Sequence, residues 1–251
     1  MGERLTTQGY WADHWAGRRL PELTVPRRDI HQVLAAHLPV SADLSLFEVG
    51  CALGGWMAYF HRQFHYKVGG IEYVEPAAQA TRRNMEMLNV PATVEVGDFF
   101  QLDRPRSSDI VYSAGFIEHF EDLDGVVRRI CSMARKYVVT LVPNFVGLLG
   151  LTNRLFNRPL YDAHRRIDAT MLRNLHEKAG VTTLFCDYLG GIHFEPLAIG
   201  PIFARHQKLA RILNFPFRAA NRVMRLMNDK AGFAPRTRLL TPAILYVGAV
   251  P

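Results

Sequence analysis

The sequence has few cysteines, and their arrangement argues against a cysteine-based site. The three cysteines, Cys51, Cys131 and Cys186, are odd in number and scattered along the chain. No two of them stand at the short spacing of metal-binding cysteines, so they do not predict a zinc site. We interpret them as buried thiols and therefore expect a protein of a reducing compartment, the cytoplasm.

The sequence also lacks a long uninterrupted apolar run. The N-terminal stretch MGERLTTQGYW has no apolar core of the kind that a signal peptide carries. The longest apolar runs, 137–142 and 145–151, are separated by Pro143 and Asn144. Each run is far shorter than the about 20 residues that a transmembrane helix needs. The sequence therefore predicts no segment that spans a bilayer.

Internal repeats and low-complexity tracts are absent as well, which favours an ordinary globular chain. With 251 residues and 49% hydrophobic content, the chain can bury a full core. We predict one α/β domain over residues 1–251. Its parts are an N-terminal helical extension or lid at 1–40, a core at 41–190, a helical cap insertion at 191–240 and a last strand at 241–251.

Acidic residues are outnumbered by basic ones. The chain has 23 Asp and Glu against 30 Lys and Arg, which gives a formal net charge of +7. The excess is concentrated at 154–166 and 205–230. A positive charge favours acidic partners without choosing among them. Because no recognition motif or repeated aromatic platform accompanies the basic residues, we predict no nucleic-acid partner.

One stretch, SLFEVGCALGG at residues 45–55, organises the rest of the chain. A short apolar run holds Glu48 near its end, Gly50 and Gly54 follow, and apolar residues at helical spacing come next. A strand, a glycine turn and a helix place backbone N–H groups of a helix N-terminus against a ligand. Glycine allows that close approach. The spacing is Glu-x-Gly-x-x-x-Gly, and Ala52 stands where dinucleotide-binding loops commonly have a middle glycine.

This stretch and the segments after it resemble the class I S-adenosylmethionine-dependent methyltransferases of the small-molecule branch, over roughly residues 40–190 and the last strand. The resemblance implies an α/β fold with a Rossmann-like, doubly wound sheet of seven strands, mostly parallel with an antiparallel last strand. In that family the acidic residue and glycines of the first strand cradle the methionine part of the cofactor. An acidic residue of the second strand takes the ribose, and an Asp after the third strand contacts the adenine.

The resemblance implies a site for S-adenosyl-L-methionine, and its candidate residues occur in the expected order. Glu72 ends a predicted second strand 24 residues after Glu48, close to the spacing at which a carboxylate meets ribose hydroxyls. Glu75 is a nearby alternative, but Pro76 follows it and starts a helix. Asp98 follows a third strand and is expected to accept from the adenine amine. The predicted cofactor-binding residues are Glu48, Gly50, Cys51, Gly54, Glu72, Tyr73, Asp98, Phe99 and Ser113.

The substrate side of the site is expected in the loop after the fourth strand. Ligands of open α/β sheets lie beyond the carboxyl ends of the strands, and Glu118-His119 follows that strand. We predict His119 as a general base for an oxygen nucleophile; the alternative is a histidine at a helix start that bonds to backbone. Some family members bind a divalent metal through Glu-x-x-Glu-His and a distant histidine. Here Gly115 replaces the first carboxylate and His164 is the later histidine, so we predict no metal.

Two segments on either side of this core are expected to shape the pocket. Tyr10, Trp11 and Trp15 stand close together and indicate either a helix on the domain edge or an aromatic lid that excludes water from the cofactor. Together with His164 they are the candidates for lid and substrate contacts. Residues 145–166 show little regular pattern, as is common for an insertion that shapes a substrate pocket in this fold.

The segment 203–229 is basic and amphipathic, and Pro216 is expected to break it into two helices. Its apolar stripe must be covered, since a large exposed apolar face favours aggregation. The sequence leaves three coverings open: the domain itself, which makes a cap over the pocket; an anionic membrane surface, which makes a peripheral contact; or a second copy, which makes a homodimer.

The sequence therefore predicts an enzyme, a methyltransferase that moves a methyl group from S-adenosyl-L-methionine to an oxygen, nitrogen or carbon of a small-molecule substrate. A lipid-like or anionic substrate fits the basic and apolar composition best. An NAD-binding oxidoreductase and a non-catalytic binding protein of the same fold are the alternatives. Against NAD, the middle glycine is absent and a carboxylate at Glu48 would repel a pyrophosphate.

Overall fold

The computed structural model describes residues 4–16, 26–102, 105–194 and 207–251. The strands within these residues are β1 (Ser45–Val49), β2 (Lys67–Glu72), β3 (Ala92–Val96), β4 (Ser108–Ala114), β5 (Ala134–Pro143), β6 (Thr182–Leu189) and β7 (Ala243–Ala249). They form one sheet in the order β3-β2-β1-β4-β5-β7-β6. Strand β7 runs antiparallel to both of its neighbours, and the other pairs are parallel. The predicted doubly wound sheet with an antiparallel last strand is confirmed.

Ten α-helices accompany the sheet in the described residues. They are α1 (Gln8–Trp15), α2 (Arg28–His37), α3 (Gly55–Phe64), α4 (Glu75–Met87), α5 (Leu123–Met133), α6 (Leu148–Phe156), α7 (Arg158–Asp162), α8 (Ala169–Lys178), α9 (Gln207–Leu213) and α10 (Phe215–Ala231). Strands β1, β2 and β3 alternate with α3 and α4 along the chain. This alternation of strand and helix is typical of parallel α/β sheets.

The side chains of β1 alternate between two apolar cores, because successive residues of a strand point to opposite faces. Leu46 belongs to the core that includes Leu34 of α2 and Phe60 of α3. Phe47 and Val49 belong to the other core, to which α5 and α8 contribute. The central strand is therefore buried on both faces, as its continuous apolar sequence indicates.

The strand order reverses beside β1, and this reversal places the site. Strands β2 and β3 lie on one side of β1, and β4 and β5 lie on the other. In the pairing register, Val49 stands between Ile71 and Ser113. The loops that leave the carboxyl ends of β1 and β4 therefore diverge, and ligands of open α/β sheets bind in the crevice between such loops.

The segment 145–166 is more regular than its sequence predicts, since it forms α6 and α7. Gly150 has low helix propensity, but packing requires it, because a Cβ there would lie 1.8 Å from the Phe145 carbonyl oxygen. The side chains of Thr152 and Asn153 donate to the Leu149 carbonyl one turn back in α6. Tertiary packing and side-chain bonds to the backbone, rather than local propensity, account for this helix.

The insertion before β7 forms two helices, as predicted, with Pro216 in the first turn of α10. Asn228 of α10 is buried and donates to Asp29 of α2 at 3.1 Å. Residues 203–206 of the predicted segment lie outside the described part of the chain. Within the described ranges, no helix combines the length and the hydropathy that crossing a bilayer requires.

Candidate functional site

A cavity of about 240 Å³ opens at the carboxyl ends of β1, β2 and β4. It combines two carboxylates with an aromatic wall. The side chains that give it this character are Glu48, Glu72, Trp11, Trp15, Trp56, Tyr73, Phe99, Phe116, His119 and Phe120. An apolar enclosure with a few converging polar groups is the usual form of a small-ligand site.

The glycine turn after β1 forms the floor of this cavity. Gly50 has φ +75° and Gly54 has φ +87°, a region that other residues rarely adopt. A Cβ on Gly50 would lie 3.0 Å from the Phe116 ring, so glycine keeps the backbone close to the cavity. Gly54 lies behind the floor, where it caps α3 and packs against Met85 of α4.

Glu48 contributes a buried carboxylate that its surroundings do not satisfy. Only 3% of its surface is exposed, and its Oε2 atom has no hydrogen-bond partner among the described residues. The pKa of Glu48 is raised to about 8, chiefly by burial; the backbone N–H of Met57 opposes this rise, and the nearby Glu72 adds to it. A buried carboxylate without a partner is costly. A cationic group in the cavity would remove that cost.

Glu72 is also buried, but its carboxylate is held by backbone. Its two oxygens accept from Ala52 N–H at 3.2 Å and from Val74 N–H at 3.1 Å. Burial raises the pKa of Glu72, and these amide donors lower it in part. The carboxylate is therefore fixed in position at the mouth of the glycine turn, and Tyr73 lines the cavity beside it.

Asp98, predicted to contact the adenine, does not line the cavity in this structure. Its Oδ1 accepts from Phe100 N–H at 2.9 Å and forms an ion pair with the Arg4 guanidinium. Arg4 also lies 4.1 Å above the Tyr73 ring and itself lines the cavity. The carboxylate is thus engaged by the N-terminal segment, which the sequence pattern gave no reason to expect.

The N-terminal segment crosses the cavity and brings two of the three predicted lid aromatics into it. Trp11 donates from Nε1 to the Thr6 hydroxyl at 3.0 Å and packs edge-on against His119, with ring centroids 4.8 Å apart. Trp15 lines the cavity as well. Tyr10 instead packs against the Trp11 ring at 5.2 Å and is not part of the lining.

The segment is fastened to loops on both sides of the cavity. Leu5 N–H donates to the His119 carbonyl at 2.9 Å, beyond β4. Gln8 donates from Nε2 to the Tyr73 carbonyl at 3.0 Å, beyond β2. The two attachments account for the position of α1 over the crevice.

His119 lies deep in the wall of the cavity, held by backbone on one side of its ring. Its Nδ1 is 2.8 Å from the Ala163 carbonyl oxygen. Because a carbonyl only accepts, Nδ1 carries the proton and Nε2 keeps its lone pair. The pKa of His119 is lowered to about 3, chiefly by burial and to a smaller extent by His164. The ring is therefore a neutral hydrogen-bond acceptor at Nε2.

Glu118, His119 and His164 come together into a compact group. One ligand-type atom from each lies within 4.8 Å of the others. Nδ1 of His164 is 2.7 Å from the Leu160 carbonyl oxygen, so its Nε2 also keeps a lone pair. Both Glu118 oxygens are buried without a hydrogen-bond partner among the described residues. These are the residues that could hold a metal ion here; the absence of a metal site stays a sequence-based prediction.

Three further predicted residues lie near the cavity but do not line it. Cys51 is fully buried, with its thiol packed against Gly70 of β2. Ser113 is buried in β4, and its hydroxyl has no hydrogen-bond partner among the described residues. His164 stands behind His119, with ring centroids 4.4 Å apart. Cys51 and Ser113 are next to lining residues in the sequence and His164 contacts the lining residue His119, but none of the three belongs to the lining.

The predicted cap is placed differently from the sequence expectation. No described residue of α9 or α10 lines the cavity. Helix α10 packs on α2 through Asn228 and Asp29 instead. The physical reason is the polar inner stripe of α10, which bonds to the edge of the domain rather than to the rim of the crevice.

Sequence analysis missed several lining residues: Arg4, Thr6, Ala52, Trp56, Ile71, Gly97, Ala114, Gly115, Phe116 and Phe120. Phe116 and Phe120 have four-residue spacing after β4, and their rings pack 5.0 Å apart, a signal that could have been found. Trp56 is the second residue of α3 and follows the glycine turn directly. Arg4 and Thr6 carry no local signal, because their position depends on the path of the N-terminal segment.

A family match agrees with this geometry. Residues 46–136, from β1 into β5, match the family described as "Methyltransferase domain". Residues 46–136 therefore carry a methyltransferase domain, and the sheet that holds them has the Rossmann-like fold of S-adenosylmethionine-dependent methyltransferases. Two solved structures of this fold hold S-adenosylhomocysteine, which together with the methyltransferase match supports S-adenosyl-L-methionine as the cofactor. The match supports an enzyme over the NAD-binding and non-catalytic alternatives that the sequence left open. No curated protein matches the sequence.

The methyltransferase is similar in fold to solved structures of low sequence identity. A Thermotoga maritima methyltransferase, described as a possible histamine N-methyltransferase, is 15% identical with a TM-score of 0.56, covering 88% of this chain and 86% of that one. Phosphoethanolamine N-methyltransferase 2 of Haemonchus contortus is 13% identical with a TM-score of 0.59, covering 92% and 55%. Geranyl diphosphate C-methyltransferase of Streptomyces coelicolor A3(2) is 13% identical with a TM-score of 0.56, covering 88% and 78%. At these identities the similarity establishes the fold.

Proposed function

We propose that the methyltransferase acts on a small, lipid-like or anionic molecule and methylates an oxygen, nitrogen or carbon atom of it. The observation that carries this proposal is the enclosed aromatic cavity beneath α1. Trp11 and Trp15 lie over the crevice, while Phe116 and Phe120 form its wall. A cavity of about 240 Å³ that is covered in this way suits a small molecule better than a protein or nucleic-acid chain.

The anionic part of the proposal rests on charge and on the solved relatives. The chain has a formal net charge of +7, which favours anionic ligands. The Haemonchus contortus structure is a complex with phosphomonomethylethanolamine. The Streptomyces coelicolor structure holds geranyl diphosphate. Both of these molecules are small and carry phosphate, and one has an apolar chain.

Glu48 and the glycine turn fit the methionine part of the cofactor. The ammonium group of that part is cationic, and Glu48 offers a buried carboxylate oxygen without a protein partner. Gly50 leaves the backbone open to close approach. When bound, the cofactor supplies an electrophilic methyl group; the protein orients the nucleophile and excludes water.

The ribose and adenine parts fit the rim formed by the loops after β2 and β3. Glu72 is held by two backbone amides and has oxygen lone pairs left for two hydroxyls. Tyr73 and Phe99 supply apolar surface in the same wall. We assign Asp98 a part in adenine binding that depends on its ion pair with Arg4.

His119 is the proton acceptor that the cavity offers to the substrate. Its Nε2 lone pair is free of the backbone bond that holds Nδ1, and the ring lines the cavity. A pKa of about 3 makes it a weak base in the empty site. We therefore propose that His119 chiefly orients a nucleophilic O–H or N–H group and accepts its proton late in the reaction.

The same proposal assigns the enzyme to a reducing compartment, the cytoplasm. Cys51, Cys131 and Cys186 are free and buried, which agrees with thiols that stay reduced. Imaging of a tagged protein in intact cells tests this assignment, and export from the cell would contradict it.

Calorimetry with S-adenosyl-L-methionine and with NAD tests the cofactor assignment. We expect tight binding of the former alone. Glu72→Ala should weaken that binding by about 1–3 kcal/mol, because ribose hydroxyls would lose a charged partner. Glu75→Ala is the matched control, since Glu75 is the neighbouring carboxylate and is half exposed. Equal affinities of the two variants would remove Glu72 from the site.

The substrate class is tested by labelled methyl transfer to separated cell extracts. We expect label in the lipid and small-metabolite fractions, and mass spectrometry then identifies the product. His119→Ala should lower turnover by about 10²–10⁴-fold with little change in cofactor affinity, and His119→Gln should recover part of it. Label only in protein or nucleic acid would overturn the small-molecule proposal.

A further inference from the structure

Helices α9 and α10 present a surface on which bulky apolar side chains and cations are exposed together. Ile212 and Phe215 are each 67% exposed, Val223 is 51% exposed and Leu226 is 49% exposed. Arg222, which precedes Val223 in α10, is exposed as well. Exposed apolar side chains are common singly, but a continuous group of them on a monomer marks an interaction site. We call these four side chains, together with the exposed cations Lys208, Arg211 and Arg222, the outer face.

The outer face keeps its orientation because the opposite face of α10 is fixed by polar contacts. Asn221 accepts from Phe194 N–H at 2.7 Å and donates to the Phe194 carbonyl at 2.8 Å. Asn228 is buried and donates to Asp29 of α2 at 3.1 Å. Because buried polar groups without partners are costly, α10 cannot roll to hide its apolar residues without breaking these bonds.

The two helices act as one surface. The Arg218 guanidinium donates to the Arg211 carbonyl and so joins the start of α10 to α9. Residues 208–231 contain six Lys and Arg and one Asp, which gives this short region a net charge of +5 out of +7 for the chain. That single acid, Asp229, pairs with Arg225 at 3.6 Å.

We propose that the outer face binds the surface of an anionic lipid bilayer, with the apolar side chains entering the boundary between headgroups and acyl chains. Charge complementarity favours this occupant, because anionic lipids attract basic segments and an interfacial helix needs the apolar residues as well. A second copy would set +5 against +5. A nucleic acid would satisfy the cations but leave Ile212 and Phe215 in water. This proposal is independent of the substrate of the methyltransferase.

Vesicle flotation of the whole chain tests the proposal. Vesicles of phosphatidylglycerol and phosphatidylcholine are compared with vesicles of phosphatidylcholine alone, at low and at high salt. We expect the chain to float with the anionic vesicles only, and added salt to reduce the bound fraction because it screens exposed charges. No flotation with anionic vesicles overturns the proposal, and so does equal, salt-insensitive flotation with both kinds.

Two variants divide the contributions of charge and apolar surface. The triple variant Lys208→Gln, Arg211→Gln and Arg222→Gln should weaken vesicle binding by about a hundredfold, at about fivefold for each cation. The double variant Ile212→Ser and Phe215→Ser should lose most of the bound fraction even at low salt. Either variant floating like the original chain overturns the assignment to the outer face.

A matched control carries one cation and one apolar change on another exposed helix. Arg83→Gln with Met87→Ser alters α4, where Met87 is 72% exposed, and should float like the original chain. Cofactor calorimetry on every variant checks that the fold is intact. Analytical ultracentrifugation and heparin binding test the other two occupants, a second copy and a nucleic acid. A dimer that dissociates in the variant Ile212→Ser with Phe215→Ser overturns the lipid proposal, and so does heparin binding without vesicle binding.

Discussion

Helix α1 and the α9–α10 pair are both helical additions to the sheet, yet their large apolar side chains meet different surroundings. Trp11 and Trp15 are half-buried and line the cavity, whereas Ile212 and Phe215 remain largely exposed. The polar anchors explain the difference. The segment of α1 is bonded to loops at the mouth of the crevice, while α10 is bonded to the edge of the domain. Where an amphipathic helix is fastened decides which surface its apolar side covers.

The largest expected effect is the loss of turnover on removal of residues 1–16. This deletion takes away the aromatic cover and the bonds to His119 and Tyr73, so water enters the cavity and the substrate loses a wall. We expect turnover to fall by at least about a hundredfold, while a cooperative thermal transition remains because α1 contributes no fully buried residue.

The comparison with α9–α10 supplies the control for that deletion. The double variant Ile212→Ser and Phe215→Ser changes exposed residues away from the cavity and should leave turnover on a soluble substrate unchanged. If the shortened enzyme turns over at the original rate, α1 is only a helix at the edge of the domain. In that case neither α1 nor the α9–α10 pair contributes to the cavity's function.

Glu48→Gln should weaken cofactor binding and stabilise the unliganded enzyme at once. The loss of a charged contact to the ammonium group is expected to cost about 1.5–3 kcal/mol of binding free energy. Burial raises the pKa of Glu48 from 4.5 to about 8, so the folded chain retains a proton that the unfolded chain releases. The contribution of Glu48 to stability is therefore present below about pH 4.5 and is lost as the pH rises towards about 8.

The stability effect has a direct measurement. The free energy of unfolding of the original enzyme, followed by its melting temperature, should fall between about pH 4.5 and about pH 8. Glu48→Gln should remove part of this pH dependence and raise the free energy of unfolding by a few kcal/mol at the upper end of the range. Glu75→Gln, on the exposed start of α4, is the control. If the Glu48→Gln variant binds the cofactor with unchanged affinity, Glu48 does not contact the ammonium group.

Arg4 and Asp98 test whether the N-terminal cover and the cofactor rim act together. We expect Arg4→Met and Asp98→Asn each to weaken cofactor binding by about 1 kcal/mol, and the double variant to cost less than the sum. The two side chains are largely shielded from solvent, so the coupling is measurable by calorimetry. If the two losses of binding free energy add exactly in the double variant, the two side chains act independently. If Asp98→Asn costs much more than Arg4→Met, Asp98 makes a contact of its own with the adenine.

Metal removal should have the smallest effect. Gly115 stands where a second carboxylate would complete a ligand set of the family pattern, and a hard cation needs several oxygen ligands. We expect the turnover rate to be unchanged by chelator treatment. Addition of Mg²⁺, Mn²⁺ or Zn²⁺ should not increase it. Activity that disappears with chelator and returns with one ion would assign Glu118, His119 and His164 as its ligands.

The sheet was predictable because its signals are local. The apolar run of β1 and the glycines after it define a strand and a turn by themselves, and Glu48 and Glu72 reach the cavity because strand ends at a switch point converge. The surroundings of Asp98 were not predictable in the same way. Its partner, Arg4, lies 94 residues away, and no periodicity encodes that approach.

The helices outside the sheet show the same limit. Pro216 marks the break between α9 and α10, but the direction in which α10 faces depends on Asn228 meeting Asp29 of α2. In α6, the low helix propensity of Gly150 argues against a helix when only the sequence is considered. The structure shows that glycine is needed there because the backbone of Phe145 lies against it. Local sequence patterns therefore predict that most helices and strands exist. Long-range polar contacts determine which surface each helix packs against.

The attachment of one N-terminal segment to both sides of the crevice has a kinetic consequence. Gln8 holds the loop after β2, and Leu5 holds the loop after β4, so the two loops share a single gate. We therefore expect cofactor and substrate to pass through the same opening, and the exchange of either to require this segment to move. We expect the opening of this segment, rather than methyl transfer, to limit the rate of product release.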